Sequence, residues 1–539
     1  MTVPLYILIL GPVLAGLALL ALPLRWGKVL APISQIPLAV LAGQVFLAVR
    51  RDGPQLQVIG GWPSSVGIAL RAELLSLDLV MLSILLFACL LLYNAGKPYV
   101  NRTFLFLFLS FQGLLNGIFL SSDLFNIFVL VEVATVVISL LILFKPNSES
   151  IYDGSIYLLT NIVAMTFFLF GLGLLYKTTG AVDFDSLKRV IASFEDSERL
   201  ILPYAFLMTA VSLKAALMPL FSWLPKAHGT PGAPTVVSAV LSGLYVKGGV
   251  YLFFRLQDIF EPVLDTRSLF LVLGLMTAVI GFVLAIAQKD IKLILAYHTV
   301  SQIGLIMTGL NMDHDYARYG ALYHIINHAI FKATLFLTAG LVIEHYKTRQ
   351  IGQIRGVWRE MPAVALASLL AILGITGAPL FNGSMSKAWI MVGADQAWLG
   401  IALYVINLGT VISFVKYSSM LWGKAPGKAK RPFWGGPGHR LPALVCLSLG
   451  TLCLLGGVLS EPMTRLLFGV ALPVDWSQYG RKTVVFLLLL FAGTAIYHFG
   501  LKRWRYLQQA RDLDLSFHDI CLTMAAFFAA LVIVLKIWY

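Results

Sequence analysis

Residues 323–340, YHIINHAIFKATLFLTAG, place ionisable side chains at regular intervals within an otherwise apolar stretch. His324, His328 and Lys332 are each four residues apart, so they would share one face of a helix. Eight residues of helix cover about 12 Å, close to half of the hydrocarbon core of a bilayer. Ionisable groups are costly in lipid and normally face a bundle interior or a water path. The stretch therefore predicts a transmembrane helix with a polar stripe, which proton transfer along the helix would need.

The composition of the 539-residue chain is that of a polytopic membrane protein. Hydrophobic residues make up 59% of the chain and charged residues only 12%, whereas about 25% charged is usual in soluble domains. A net charge of +14 could suggest a nucleic-acid partner. The charges are scattered between long apolar runs, however, and basic loops on one side of a membrane explain the same excess. We therefore expect a lipid bilayer and no nucleic acid.

The cysteines do not form a metal or redox site. They are dispersed in apolar segments, with no CxxC pair and no Cys/His cluster, at Cys89, Cys446, Cys453 and Cys521. Iron–sulfur and zinc sites need closely spaced thiolates or imidazoles. The sequence thus predicts no metal and no cofactor.

At about 20 apolar residues per span, the sequence predicts roughly 16 transmembrane helices. Their centres lie near residues 14, 39, 84, 111, 133, 164, 211, 245, 277, 302, 331, 376, 410, 450, 491 and 526. The first run lacks the basic region of a cleaved signal, so we expect it to be retained as a helix. The last two helices look appended.

Lysine and arginine are more frequent in the odd-numbered connections, most clearly at residues 347–359, 424–431 and 502–505. Basic connections face the inside of the cell. The sequence therefore predicts a multi-pass protein of the cell (inner) membrane with both termini on the outer side.

Three further ionisable residues lie inside predicted helices. Glu132 lies nine residues into an apolar helix, and Lys247 is near the middle of another, too central for simple snorkelling. Lys214 precedes Pro219, and a proline inside a helix removes a hydrogen bond and frees a carbonyl. Broken membrane helices are tolerated where their backbone lines a cavity. We expect all three charged residues to take part in proton transfer.

A second interrupted helix contains Pro379 and is followed by Lys387. Two interrupted helices, each with a nearby lysine, indicate an inverted-repeat transporter. His298 shares a helix face with Gln302, and either proton transfer or structural hydrogen bonding explains it. Lys416 lies near a helix end, where snorkelling is the better explanation.

These residues stand in motifs that resemble the antiporter-like family. The family comprises the large subunits of Mrp-type cation/proton antiporters, the proton-pumping subunits of respiratory complex I, and related membrane-bound hydrogenase subunits. DLFN at residues 123–126, followed by Glu132, looks closest to the branch that holds the D-type large subunits of Mrp antiporters and the hydrogenase subunits. The other matching stretches are residues 60–63 (GGWP), 214–225 with His228, 233–235, 290–304, 324–340 and 383–387.

The resemblance implies an all-α fold with a 14-helix core, two inverted repeats and broken seventh and twelfth helices, at Pro219 and Pro379. It implies N-terminal helices in residues 1–100, a first repeat in 101–256, a second in 257–425 and C-terminal helices in 426–539. It also implies an ion pair between Glu132 and Lys214, with Lys387 at the proton exit.

The resemblance also implies that Lys247 is the central lysine of the eighth helix and that His328 and Lys332 continue the polar axis. The sequence departs from the family at Ile156, which stands before Tyr157 where a lysine is usual, and at His298, where a serine is usual.

The first functional hypothesis is a proton-translocating subunit of a multisubunit Na⁺/proton antiporter of the Mrp type. The alternative is an ion-pumping membrane subunit of a redox complex, of the membrane-bound hydrogenase or NADH-quinone oxidoreductase type. Both predict other membrane subunits as partners and no catalytic centre in this chain. A membrane enzyme using His324 or His328 as a base lacks a convincing nucleophile or metal set.

Overall fold

The chain is built from α-helices in a computed structural model that describes residues 4–61, 67–194, 196–424, 439–474, 477, 479–503, 506–511 and 515–539. Some sequence-based predictions lie outside the described residues: those for Trp62 and Pro63, for Lys428, Lys430, Arg431 and Arg505, and for the domain boundary at residue 426.

The elements of the first half are α1 (Ile7–Ala21), α2 (Leu24–Ile33), α3 (Gln35–Asp52), β1 (Gln55–Val58), β2 (Ala69–Ala72), α4 (Leu74–Asn94), α5 (Arg102–Leu120), α6 (Leu124–Ile142), α7 (Ser148–Thr179), α8 (Phe184–Ala192), α9 (Glu198–Lys214), α10 (Trp223–Gly229), α11 (Thr235–Val240), a π-helix (Leu241–Tyr245) and α12 (Val246–Phe260). Strands β1 and β2 form one antiparallel pair, with Gln55 opposite Ala72.

The elements of the second half are α13 (Arg267–Ala287), α14 (Ile291–Leu310), α15 (Asp315–Tyr346), a 3₁₀ turn (Ile351–Gln353), α16 (Val357–Glu360), α17 (Pro362–Thr376), α18 (Asn382–Val392), α19 (Ala397–Ser418), α20 (Arg440–Val458), α21 (Ser460–Phe468), α22 (Tyr479–Ala495), a π-helix (Ile496–Gly500), a 3₁₀ turn (Leu501–Arg503), α23 (Tyr506–Arg511) and α24 (Phe517–Trp538).

The predicted all-α polytopic architecture is confirmed. Among the described residues, 13 helices are long and apolar enough to cross a membrane. Every predicted centre falls within a helix, and the three at residues 14, 211 and 376 fall in the shorter helices α1, α9 and α17. Large apolar side chains remain exposed on the outside, such as Phe491 at 76% and Phe499 at 90%. In lipid such exposure carries no penalty, because the surroundings are as apolar as the side chains.

The chain divides into two compact units. Unit 1 comprises Met1–Val237, Leu244–Thr266 and Leu515–Tyr539, and unit 2 comprises Ser238–Gly243 and Arg267–Asp514. The finer division into N-terminal helices, two repeats and C-terminal helices stays a prediction.

Each unit contains the same arrangement of two consecutive helices. In unit 1, Asp123 caps α6, and the chain returns after the 32-residue α7 to pair Asp183 with Asp123. In unit 2, Asp290 caps α14, and the chain returns after the 32-residue α15 to pair Gln350 with Asp290. The long helices are equal in length and the capped helices differ by one residue, at 19 and 20 residues, as an internal repeat would produce.

An interrupted helix follows this arrangement in each unit. Pro219 lies between α9 and α10, and Pro379 lies between α17 and α18. Each interruption also holds a non-glycine residue with positive φ, Ala216 at 55° and Leu380 at 70°. Such backbone is uncommon outside glycine and persists only where the surroundings enforce it, often at functional sites.

Candidate ion-translocation site

In unit 1 the ammonium of Lys214 is buried among hydroxyl groups at the end of α9. Its Nζ donates to Oγ1 of Thr135 at 2.8 Å and to the hydroxyl of Tyr245 at 3.3 Å. These two hydroxyls lie 3.0 Å apart. Thr135 donates its own proton to the carbonyl of Val131 at 2.8 Å, so the tyrosine proton is available to join the two hydroxyls. The lysine is therefore held by neutral oxygens.

Glu132 lies on α6, three residues before Thr135, and is half-buried. Residues three apart are neighbours on a helix surface, and the charge of Lys214 acts on this carboxylate. Within the described part of the chain, no ion pair links Glu132 to Lys214. The lysine thus contacts one hydroxyl on α6, that of Thr135. The carboxylate of Glu132 lies about one helical turn along α6 from that hydroxyl.

Lys247 is fully buried on α12, and this helix packs directly against the end of α9. At Gly249 an added Cβ would lie 2.5 Å from the nitrogen of Ala215 and 2.5 Å from the carbonyl carbon of Lys214. At Gly248 the nearest atom would be 3.9 Å away. Gly249 therefore permits a backbone-to-backbone contact that fixes the end of α9 against the helix carrying Lys247.

The end of α9 leaves carbonyls that no helical partner can satisfy. The indole nitrogen of Trp223 donates to the carbonyl of Leu213 at 2.7 Å. The first residue of α10 thereby forms a hydrogen bond with the end of α9 across the interruption.

In unit 2 the predicted polar stripe lies on α15, and His324, His328 and Lys332 are all fully buried. Nδ1 of His324 lies 2.8 Å from Oγ of Ser386, and Nε2 lies 3.0 Å from Oε1 of Gln302. Which nitrogen donates depends on the tautomer. The rings of His324 and His328 stack with centroids 6.4 Å apart. His324 thus connects three helices through both of its nitrogens.

His298 lies on α14, close along the chain to the backbone carbonyl that accepts a hydrogen bond from Lys332. Nζ of Lys332 donates to the carbonyl of Leu295 at 2.6 Å, three residues before His298. Both ring nitrogens of the fully buried His298 are without a hydrogen-bond partner among the described residues. Buried polar atoms are nearly always hydrogen-bonded, so His298 departs from the usual pattern, and its ring packs against Phe414 with centroids 4.7 Å apart.

Lys387 lies on α18, just after the second interruption. Its Nζ donates to the carbonyl of Ile375 at 2.7 Å and to Oδ1 of Asn407 at 2.9 Å. Both acceptors are neutral, as they are for Lys214. In each unit, then, a lysine beside an interrupted helix is held by neutral oxygens.

Sequence reasoning missed four of these partners: Thr135, Tyr245, Ser386 and Asn407. Thr135 is three residues from Glu132 and could have been found by helix spacing. Nothing in the sequence marks Tyr245, because it lies in a π-helix turn that alters which residues share a face. Across the described ranges, no group of three or more His, Cys, Asp or Glu residues could hold a metal ion.

Residues 121–413 match the family model described as "NADH:quinone oxidoreductase/Mrp antiporter, TM". This match covers more than half of the chain. The chain belongs to this family. The resemblance drawn from the motifs is therefore confirmed, and the protein is an antiporter-like membrane protein of the Mrp and complex I type.

Two relatives in this family illustrate its two branches. The chain is 32% identical to NADH-quinone oxidoreductase subunit N of Desulforudis audaxviator, over 84% of this chain and 94% of the relative. It is 31% identical to the putative antiporter subunit mnhD2 of Staphylococcus aureus, over 68% of this chain and 75% of the relative. Identity alone does not separate the branches.

Solved structures share the fold of the family. One chain in the structure of the Mrp complex from Dietzia sp. DQ12-45-1b matches with a TM-score of 0.79 and 23% identity, over 94% of this chain and 99% of that chain. One chain in respiratory complex I from Thermus thermophilus matches with a TM-score of 0.75 and 23% identity, over 90% of this chain and 100% of that chain.

Proposed function

We propose that this protein is the proton-translocating subunit of a multisubunit monovalent cation (Na⁺)/proton antiporter of the Mrp type. The observation that carries the proposal is the buried Lys214 ammonium, which is held by the hydroxyls of Thr135 and Tyr245 and acts electrostatically on Glu132, about one helical turn from Thr135 on α6. Protons move along a buried axis of acidic, basic and imidazole groups: Glu132, Lys214, Lys247, His298, His324, His328, Lys332 and Lys387.

The first part of the axis works by exchange of partners at Lys214. In one state the ammonium donates to Thr135 and Tyr245, as in this structure. In the other it pairs with Glu132. Since neighbouring charges change the proton affinity of an ionisable group, each exchange alters the readiness of Lys214 to pass its proton towards Lys247. No covalent chemistry is needed.

The second part of the axis lies along α15 and ends at Lys387. A neutral imidazole accepts a proton at one nitrogen and releases one from the other. His324 already has partners at both nitrogens, which suits it to this role. His328 and Lys332 extend the route along the same helix face, and His298 lies on α14 three residues after Leu295, whose carbonyl accepts from Lys332.

In this proposal the protein works within a complex in the cell (inner) membrane, with both termini on the outer side. Its partners are other membrane subunits, protons and Na⁺. In this proposal the ion gradient is the source of energy, and the chain carries no cofactor and no metal of its own.

The second candidate function is an ion-pumping subunit of a redox-driven membrane complex. The observation that favours it is the 32% identity to NADH-quinone oxidoreductase subunit N, which extends over 94% of that relative. In that case the redox centres would lie in partner chains, and the same buried axis would move protons.

Native mass spectrometry of the gently solubilised complex, combined with its iron content, tests this proposal. We expect an iron-free assembly of hydrophobic subunits that acidifies or alkalinises sealed vesicles when Na⁺ is added. Iron–sulfur or nickel subunits in the same assembly, or vesicles that respond to an electron donor and not to Na⁺, would establish the second candidate instead.

A further inference from the structure

A cavity of about 400 Å³ opens in unit 2 between α18, α19 and α22, beside Lys387. The wall contributed by α22 consists of Arg481, Lys482, Val485, Phe486 and Leu489. Residues four apart share a helix face, so α22 turns one basic and apolar face towards the cavity. The volume falls within the range of about 300–1,000 Å³ that is typical of ligand pockets.

The ionisable side chains among the described lining residues are all basic. They are Arg481 and Lys482 on α22 and the amine of Lys387 on α18, and no carboxylate lies among the lining residues that the structure describes. The two acceptors of Lys387 are neutral, and none of the ion pairs within the described ranges includes Arg481 or Lys482. The positive charges of Arg481 and Lys482 beside one partly apolar cavity favour an anionic occupant.

The apolar surroundings define the rest of that occupant. The two basic residues lie in the first turn of α22, and the apolar Val485, Phe486 and Leu489 follow in the next turns. On the outer side of this helix, large apolar side chains are more than half exposed, at Val484, Leu487, Leu488 and Phe491. The cavity therefore passes from a charged end to an apolar end beside a lipid-exposed helix. A phospholipid has the same order, with a phosphate at the interface and acyl chains deeper in the membrane.

We propose that this cavity binds the phosphate headgroup of an anionic phospholipid, with Arg481 and Lys482 on the phosphate and one acyl chain against Val485, Phe486 and Leu489. Arginine suits this role because its guanidinium donates two parallel hydrogen bonds to a phosphate. Lys387 of the proposed proton axis lies in the cavity wall, but the phosphate contacts are assigned to Arg481 and Lys482, which take no part in that axis, so lipid binding is tested separately from transport.

The test is a lipid titration of the full chain, purified with the subunits that accompany it, followed by native mass spectrometry. The probes are dioleoyl phosphatidylglycerol, which is anionic, and dioleoyl phosphatidylcholine, which is zwitterionic. We expect the phosphatidylglycerol adduct to be preferred by about tenfold or more and the double substitution Arg481→Gln with Lys482→Gln to remove that preference. The matched control, Arg440→Gln with Lys502→Gln, removes two exposed basic residues outside the cavity and should leave it unchanged.

A second variant separates lipid binding from simple charge attraction. Leu489→Trp fills the apolar end and keeps every charge, so it should weaken phosphatidylglycerol binding even if the double variant fails to fold. The proposal is overturned if both lipids bind equally or if the control variant loses as much binding. It is also overturned if inorganic phosphate alone displaces the lipid, or if a partner segment fills the cavity and no lipid binds.

Discussion

Two hydroxyl groups hold the ammonium of Lys214 in its buried position. Removing either one leaves a charged donor short of an acceptor, at a cost of about 1.5–3 kcal/mol for a hydrogen bond to a charged group. We therefore expect Thr135→Val and Tyr245→Phe each to lower coupled transport by about tenfold. Transport by sealed vesicles, normalised to the amount of assembled complex, measures this effect.

Thr135→Ser is the matched control, because it keeps the hydroxyl that accepts from Lys214 and loses only a methyl group. It should transport at close to the wild-type rate. If Thr135→Val transports as well as Thr135→Ser, transport does not require the hydroxyl that contacts Lys214. The state in which Lys214 donates to Thr135 would then have no part in the proposed exchange of partners.

Asp123 caps α6 and carries a second prediction at the residue scale. Its carboxylate accepts from the backbone nitrogen of Asn126 at 2.6 Å, while burial raises the pKa of this carboxyl above its usual range. The folded state thus favours the protonated acid. As the pH rises from the usual aspartate pKa towards the raised pKa of Asp123, deprotonation of this group lowers the free energy of unfolding. Asp123→Asn keeps the cap without the buried charge, and Asp123→Ala loses the cap.

We expect Asp123→Asn to be at least as stable as the wild type at neutral pH and Asp123→Ala to lose about 1 kcal/mol. The advantage of asparagine should shrink near pH 4, about the usual aspartate value, where aspartate also becomes neutral. Thermal unfolding of the purified protein at both pH values measures these differences. Equal losses in the two variants would mean that the charge itself is required at this cap.

Lys416 shows where sequence reasoning fails at this scale. Its place near a helix end favours snorkelling to the membrane surface. In the structure it is buried and its Nζ donates to the carbonyls of Ile286 and Gln288 at the end of α13. A cation there satisfies carbonyls that the helix leaves free. The sequence could not indicate this contact, because the two partners lie about 130 residues away along the chain.

At the scale of the helices, alanine substitutions at the adjacent residues Gly249 and Gly248 test the close contact between α12 and α9. Gly249→Ala puts a methyl group against the backbone of Lys214 and Ala215, whereas Gly248→Ala meets nothing closer than 3.9 Å. We expect Gly249→Ala to lose about 1–3 kcal/mol, the usual cost of overpacking, and to impair transport by displacing Lys214. Gly248→Ala should be close to wild type in both respects.

Thermal unfolding and vesicle transport of the two alanine variants measure this difference. Wild-type behaviour of Gly249→Ala would mean that α12 can move away from α9 without consequence. The close approach of the two helices would then be irrelevant to the position of Lys214.

Helices are the scale at which the sequence was most informative. A span is a property of about 20 residues, so hydropathy averages out local irregularities, and every predicted centre falls within a helix. The contacts of Lys214 with Thr135 and Tyr245 depend instead on how α6, α9 and the π-helix pack. Such contacts join residues 79 and 31 positions apart, and no periodic pattern encodes them.

For the whole molecule, two features support an internal repeat. Each unit has a capped helix, a 32-residue helix and an interrupted helix, in the same order along the chain. Each also has a lysine held by neutral oxygens beside the interruption. A duplicated arrangement of this kind is typical of transporters built from internal repeats, and it agrees with membership in the antiporter-like family.

The most direct test of the central claim is Na⁺-dependent proton flux in proteoliposomes that contain the purified complex, comparing the wild type with Lys214→Ala and Glu132→Gln. Lys177→Ala and Glu149→Gln, at exposed positions on α7, are matched controls. We predict that both site variants insert and assemble normally but lose coupled flux, while the controls retain it. Normal flux in either site variant would contradict the proposed proton axis.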